Sequence, residues 1–234
     1  MLRETALALF GLAFIATTAA AAPPGIELSK DHRRTIALNP AVPFTRQTTD
    51  DAGLVTIFDN IGSKYKQGTY WCCDGNTITG PGAMPGNSEW WMAGAFTPSA
   101  NHTVTRIEVA AGHILGPNSI TLSIAQDAGG VPGTVLKSWV VRRLPTFGGC
   151  CTLIVQADRT GVSVAAGRQY WIMLTTDARE ADTWDTWEYN DTDQVHAGAT
   201  AIYCSDDQGG DCLNNDQWTA ESYTPALAFA VKGE

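Results

Sequence analysis

Between residues 182 and 218 the chain sets Trp184, Trp187 and Trp218 among Asp185, Glu188, Asn190, Asn214, Asn215 and Gln217. Indoles beside carboxylates and amides are suited to sugars: the C–H face of a pyranose stacks on the ring while the polar groups take its hydroxyls. Trp184, Trp187, Trp218, Asp185, Glu188 and Asn190 are therefore the candidate ligand-binding set. The competing reading gives these indoles a structural task, capping the ends of a sandwich or pinning long loops.

Support for catalysis is thin. His32, His102, His113 and His196 are scattered, and no nucleophile elbow, His-Glu-x-x-His helix or phosphate loop occurs. Glycoside hydrolysis needs two facing carboxylates, which Glu180, Glu188 and Glu221 could supply, but acids are common throughout these loops. No catalytic residue is expected, and a glycoside-active enzyme ranks third among the functions considered. No metal or other cofactor is expected either. Asp206, Asp207, Asp211 and Asn214-Asn215-Asp216 offer oxygens to calcium without the spacing of an EF-hand, and solvated surface acids explain them better.

The six cysteines form Cys72-Cys73, Cys150-Cys151 and Cys204…Cys212. Cys204 and Cys212 enclose a turn-rich loop and are expected to be bridged. Each adjacent pair could bridge to the other across strands or close on itself in a tight turn, so their pairing stays open. Zinc is disfavoured, because its thiolates usually stand two to four residues apart.

An even cysteine count suits an oxidising compartment, and the N-terminus agrees. Arg3, an apolar run from Leu7 to Ile15 and the small residues Thr17 to Ala22 make residues 1–22 a signal peptide. Residues 23–50 read as an extended leader or linker, and 51–234 as the folded domain. The protein is expected to be secreted, periplasmic or extracellular, with no membrane span once the signal is removed. Net charge is −9, without a basic stripe, which argues against nucleic acid and anionic membranes as partners. An extracellular glycan or a surface protein remains the partner class, with the oligomeric state open.

Most of the chain reads as β-strand. At 103–109, Thr103, Thr105, Ile107 and Val109 alternate with Val104, Arg106 and Glu108. At 120–125, Ile120, Leu122 and Ile124 alternate with Thr121, Ser123 and Ala125. Such alternation predicts strands with one face in a core and one in water. Further strands are predicted at 54–58, 69–73, 90–97, 135–144, 152–157, 168–176, 199–204 and 225–232, with 75–88 as turn and loop. No amphipathic helix pattern follows the signal. The expectation is an all-β, antiparallel β-sandwich, jelly-roll-like.

The string Ile-Thr-Leu-Ser-Ile-Ala-Gln-Asp-Ala-Gly-Gly-Val-Pro-Gly-Thr-Val-Leu at 120–136 resembles the central signature of the choice-of-anchor R domain, found in exported bacterial proteins. Trp91-Met92-Ala93-Gly94-Ala95-Phe96-Thr97, Val104 to Val109, Ala166 to Ile172, Trp187 to Asn190 and Pro225 to Phe229 also resemble it. The likeness would span roughly 54–232. It implies an extracellular jelly-roll-like sandwich and carries over no catalytic residue. No apolar tail follows the likeness, which favours a free protein over an anchored one. The leading function is non-catalytic recognition of carbohydrate or another extracellular polymer. The alternative is a structural, matrix or protein-interaction domain without a small ligand.

Overall fold

The computed structural model describes residues 25–29, 33–38, 53–61, 74–83, 88–148, 153–177, 179, 181–190, 200–205, 217–221 and 226–234. They form fourteen strands and no helix: β1 Ile26–Leu28, β2 Arg34–Ala37, β3 Val55–Asp59, β4 Asp74–Thr79, β5 Glu89–Phe96, β6 His102–Leu115, β7 Ser119–Asp127, β8 Pro132–Arg142, β9 Leu153–Val164, β10 Tyr170–Thr175, β11 Trp184–Glu188, β12 Thr200–Ser205, β13 Gln217–Glu221 and β14 Phe229–Gly233. Every strand pairing is antiparallel. With no helix of any kind among the described residues, none is long and apolar enough to cross a membrane.

The strands run in the order β3-β14-β6-β11-β4-β5-β10-β7-β8. β9 adds to β6, β12 and then β13 add to β5, and β2 with β1 adds to β4. This open antiparallel sheet of many strands is consistent with a β-sandwich. The leader thus contributes two short strands, and Thr35 of β2 is buried with its hydroxyl on that of Thr77. β4 falls where the density of Gly, Asn and Thr reads as loop. Its residues are buried all along, with Tyr189 donating to Asn76 Oδ1 (2.9 Å) and Thr79 donating to the Ser88 carbonyl (2.7 Å). Hydrogen bonding of its polar side chains makes such a strand tolerable inside.

β6 organises the molecule. Its first half pairs with β9 and β14, and its last residues pair with β11. The main core gathers Val104, Ile107 and Val109 of β6, Ile120, Leu122 and Ile124 of β7, Ile172 and Leu174 of β10, Trp187, Phe229 and Val231. The inward set of β7 is as its alternation predicts. In β6 the register shifts between Val104 and Arg106, a bulge that turns Val104 to the same core as Ile107 and Val109. The opposite face of β6, expected in water, is buried instead. Arg106 donates from Nε to Glu108 Oε1 at 2.8 Å, and Lys232 Nζ donates to the same oxygen at 3.1 Å, so the charges meet each other in place of solvent.

Two carboxylates fasten the outer strands. Asp158 of β9 accepts from Trp139 Nε1 at 2.9 Å and pairs with Lys137 Nζ at 2.6 Å, tying β8 to β9. The Lys137 ammonium, then the Thr160 hydroxyl and the Trp139 indole, hold its pKa well below the carboxylate range. Asp127 closes the turn after β7. It accepts from the Gly129 and Gly130 amides at 3.1 Å, and from Trp171 Nε1 and Gln169 Nε2 at 2.8 Å. Gly129 and Gly130 have φ of 80° and 94°, which glycine alone adopts cheaply. Partial desolvation opposes ionisation of Asp127, but the donors, led by Trp171, outweigh it and lower the pKa. A depressed folded pKa gives stability that is complete above the unfolded value near about 3.9 and lost as pH falls through the folded one. Asp127→Asn is therefore expected to cost about 1 kcal/mol at neutral pH, the exposure of the site keeping the figure small. In thermal melts followed from pH 7 to pH 2, the gap between wild type and variant should close below roughly pH 4. A gap unchanged across that range would show that the charge is irrelevant.

Candidate functional site

Five of the six expected binding residues are buried. Trp184, Asp185, Trp187 and Glu188 make up most of β11, which lies between β4 and β6 and is buried along its whole length. Trp187 donates from its indole to the Ala228 carbonyl at 2.9 Å and meets Phe229 edge-on at 5.9 Å. Asp185 lies 2.8 Å from His113 Nδ1, linking β11 to β6. Asn190 donates from its side chain to the Asn60 carbonyl and from its backbone to Ala226 at 2.7 Å. Trp184 and Trp187 are 1% and 0% exposed, so they offer no face to a sugar, and Asp185, Glu188 and Asn190 reach no solvent-borne hydroxyl. The acids around them read as loop, yet Trp, Thr and Tyr at this density also favour a strand.

Burial of Glu188 equally removes it from a pair of facing catalytic acids. Glu180 and the side chain of Glu221 lie outside the described residues, as do Asp206, Asp207, Asp211 and Asn214 to Asp216. So do Cys72, Cys73, Cys150, Cys151 and Cys212, and of Cys204 only the backbone, in β12, is described. The His113–Asp185 pair has no hydroxyl or thiol hydrogen-bonded to the imidazole among the described residues, so it forms no nucleophilic triad. Among the described residues no three His, Cys, Asp or Glu side chains gather as a metal-binding group.

Trp218 has a different setting. It lies on β13 opposite Tyr203 of β12, which lies opposite Trp91 of β5. Three adjacent strands thus bring three aromatic side chains into one row. Trp91 and Tyr203 stack at 4.2 Å between centroids with their planes 16° apart. Trp218 tilts 55° from Tyr203 at 5.8 Å. All three are half-buried. Beneath Trp218 lies a small cluster of Ala93, Ala95, Ala125, Ala201, Trp171 and Met173. The row is anchored at one end: Trp91 donates from Nε1 to Thr176 Oγ1 at 2.8 Å, and Thr176 donates to Glu89 at 3.4 Å. Gln217 is exposed next to Trp218.

Direct cross-strand placement explains the stacking, since paired side chains on one face stand about 5 Å apart. The tilt keeps Trp218 out of the parallel stack, and Glu89 adds a carboxylate on the Trp91 side of β5, at that end of the row. Such a row can hold an apolar ring face; among the described residues it offers no pair of facing acids and no nucleophile. Sequence reasoning finds Trp218 and misses Trp91 and Tyr203. Trp90-Trp91 points one indole to each side of β5, and only the sheet order shows that Trp90 is the buried one. No family profile matches the chain, and neither the curated proteins nor the solved structures yield a match.

Proposed function

We propose that the chain is an exported, non-catalytic recognition domain that binds an extracellular glycan through the Trp91–Tyr203–Trp218 row. The observation carrying this reading is the register that aligns three half-exposed aromatic rings on β5, β12 and β13. The signal-like residues 1–22, a bridge between Cys204 and Cys212, and a jelly-roll path of the choice-of-anchor R kind belong to the same proposal. They rest on the sequence. A net charge of −9 favours a neutral polymer over an acidic one.

The test uses residues 23–234 with a glycan array and pull-downs on insoluble neutral polysaccharides. Trp218→Ala and Trp91→Ala should each weaken binding roughly tenfold, the loss of one stacked aromatic contact. Val140→Ser, an exposed change on β8, should leave binding unchanged. Near-ultraviolet circular dichroism checks that the folds are equal. Binding undiminished in both tryptophan variants would remove the row from the site. No binding by the wild type would favour the structural or protein-interaction reading.

A further inference from the structure

A second cavity lies at the far end of β5 from the aromatic row. The start of β6, the end of β9 and the start of β10 surround a shallow groove of about 450 Å³, bordered by Asn101, His102, Thr103, Ser163, Tyr170 and Glu234. Its volume falls in the range of small-ligand sites, roughly 300–1,000 Å³. Its position follows from pairing: Thr103 opposes Ser163 on one ladder, while Tyr170 opposes Phe96 on another, so the groove lies where the two ladders meet.

The polar groups at its border are held in place but not used up. Asn101 accepts from the Ala166 amide with its Oδ1 at 2.9 Å, which orients the Nδ2 donor. His102 is held through Nδ1, 3.2 Å from the Glu234 carbonyl. Tyr170 is 6% exposed, and its hydroxyl accepts from the Ala165 amide at 2.9 Å. A phenol that accepts still has a proton to donate. No acceptor takes that proton among the described residues, so a nearly buried O–H donor borders the groove unused. The Thr103 and Ser163 hydroxyls are similarly without partners among the described residues. The Tyr170 hydroxyl, half-exposed Thr103 and exposed Ser163 thus leave the groove border with donors and acceptors that a ligand oxygen can take.

We infer that this groove is a second, independent ligand site, for a single neutral sugar residue or another small polyol. The chemistry of the border selects that class. Hydroxyl, amide and imidazole groups offer both donors and acceptors to a ring of hydroxyls. The carboxylate of Glu234 and the overall charge oppose an anion. The groove shares no residue with the aromatic row, so either site can exist without the other.

The experiment follows amide signals of the isotope-labelled domain by NMR while glucose, galactose, mannose, xylose and N-acetylglucosamine are added separately to roughly 50 mM. Ligands held by a few hydrogen bonds bind with Kd on the order of 1 mM. At least one sugar should shift Asn101 to Thr103 and Ser163 to Tyr170, and should do so equally in Trp218→Ala protein. Tyr170→Phe should weaken that binding about tenfold. Because the change also removes the acceptor for Ala165, Ser163→Tyr provides a second variant that fills the groove from an exposed position and should abolish the shifts. Absence of shifts at these residues with all five sugars overturns the inference, as do shifts that persist in Ser163→Tyr. Shifts confined to the surroundings of Trp91, Tyr203 and Trp218 overturn it while sparing the aromatic row.

Discussion

Trp187→Ala is expected to lower the unfolding free energy by about 3–5 kcal/mol, close to abolishing the fold of a domain whose whole stability is about 5–15 kcal/mol. The indole is fully buried among Val109, Ile78 and Phe229, and its N–H is spent on the Ala228 carbonyl. Truncation removes the packing, opens a cavity and leaves that carbonyl with only the Ala110 amide as donor. Guanidinium denaturation followed by intrinsic fluorescence measures it as a lowered midpoint at unchanged slope. Trp218→Ala, at a half-exposed position, should cost no more than about 1.5 kcal/mol in the same assay. Equal losses for the two would contradict their placement. The contrast also separates stability from recognition: Trp187 should govern whether the domain folds, and Trp218 whether it binds.

Glu108→Gln should cost a similar amount, about 3–5 kcal/mol, for an electrostatic reason. Glu108 is fully buried between Arg106 and Lys232, whose side chains are 9% and 6% exposed. Removing its charge takes from both buried cations an anion that offsets their desolvation. Replacing the three together by Met, Leu and Met should recover most of the loss, because a buried ion cluster is often no more stable than an apolar one of the same shape. Denaturation midpoints of the single and triple variants decide this. A single variant within about 0.5 kcal/mol of wild type would mean that water reaches the cluster freely.

What the sequence made legible depended on whether a strand has one face or two inside. β7 alternates cleanly, and its apolar set is the buried set. β6 alternates too, but its charged face is buried through internal ion pairing, which no one-dimensional pattern distinguishes from exposure. β4 and β11 are buried on both faces, and they carry Asn76, Thr77, Thr79, Asp185, Thr186 and Glu188. Those residues look like loop because their partners, such as Tyr189 for Asn76 and His113 for Asp185, lie on distant segments. The burial of Trp184 and Trp187 was hidden for the same reason. Charge density around Trp184 and Trp187 suggested a wet surface, whereas Asp185 and Glu188 are buried there, Asp185 against His113. Trp218 is half-buried in a row made by strand neighbours rather than sequence neighbours, which the sequence does not show.

The placement of β14 has a consequence in time. This strand lies between β3 and β6, and it joins residues far apart along the chain: Lys232 reaches Glu108 across 124 positions, and the Phe229 amide reaches Asn60 across 169. β3 has no other strand neighbour among the described residues. Until Phe229–Gly233 has been synthesised, the gap between β3 and β6 stays open and the buried charges of Arg106 and Glu108 lack Lys232. Closure waits for β14, and pairings of such long range form slowly. The buried ion cluster of Arg106, Glu108 and Lys232 is thus completed only after β14 has been made, whatever the order in which the other strands fold.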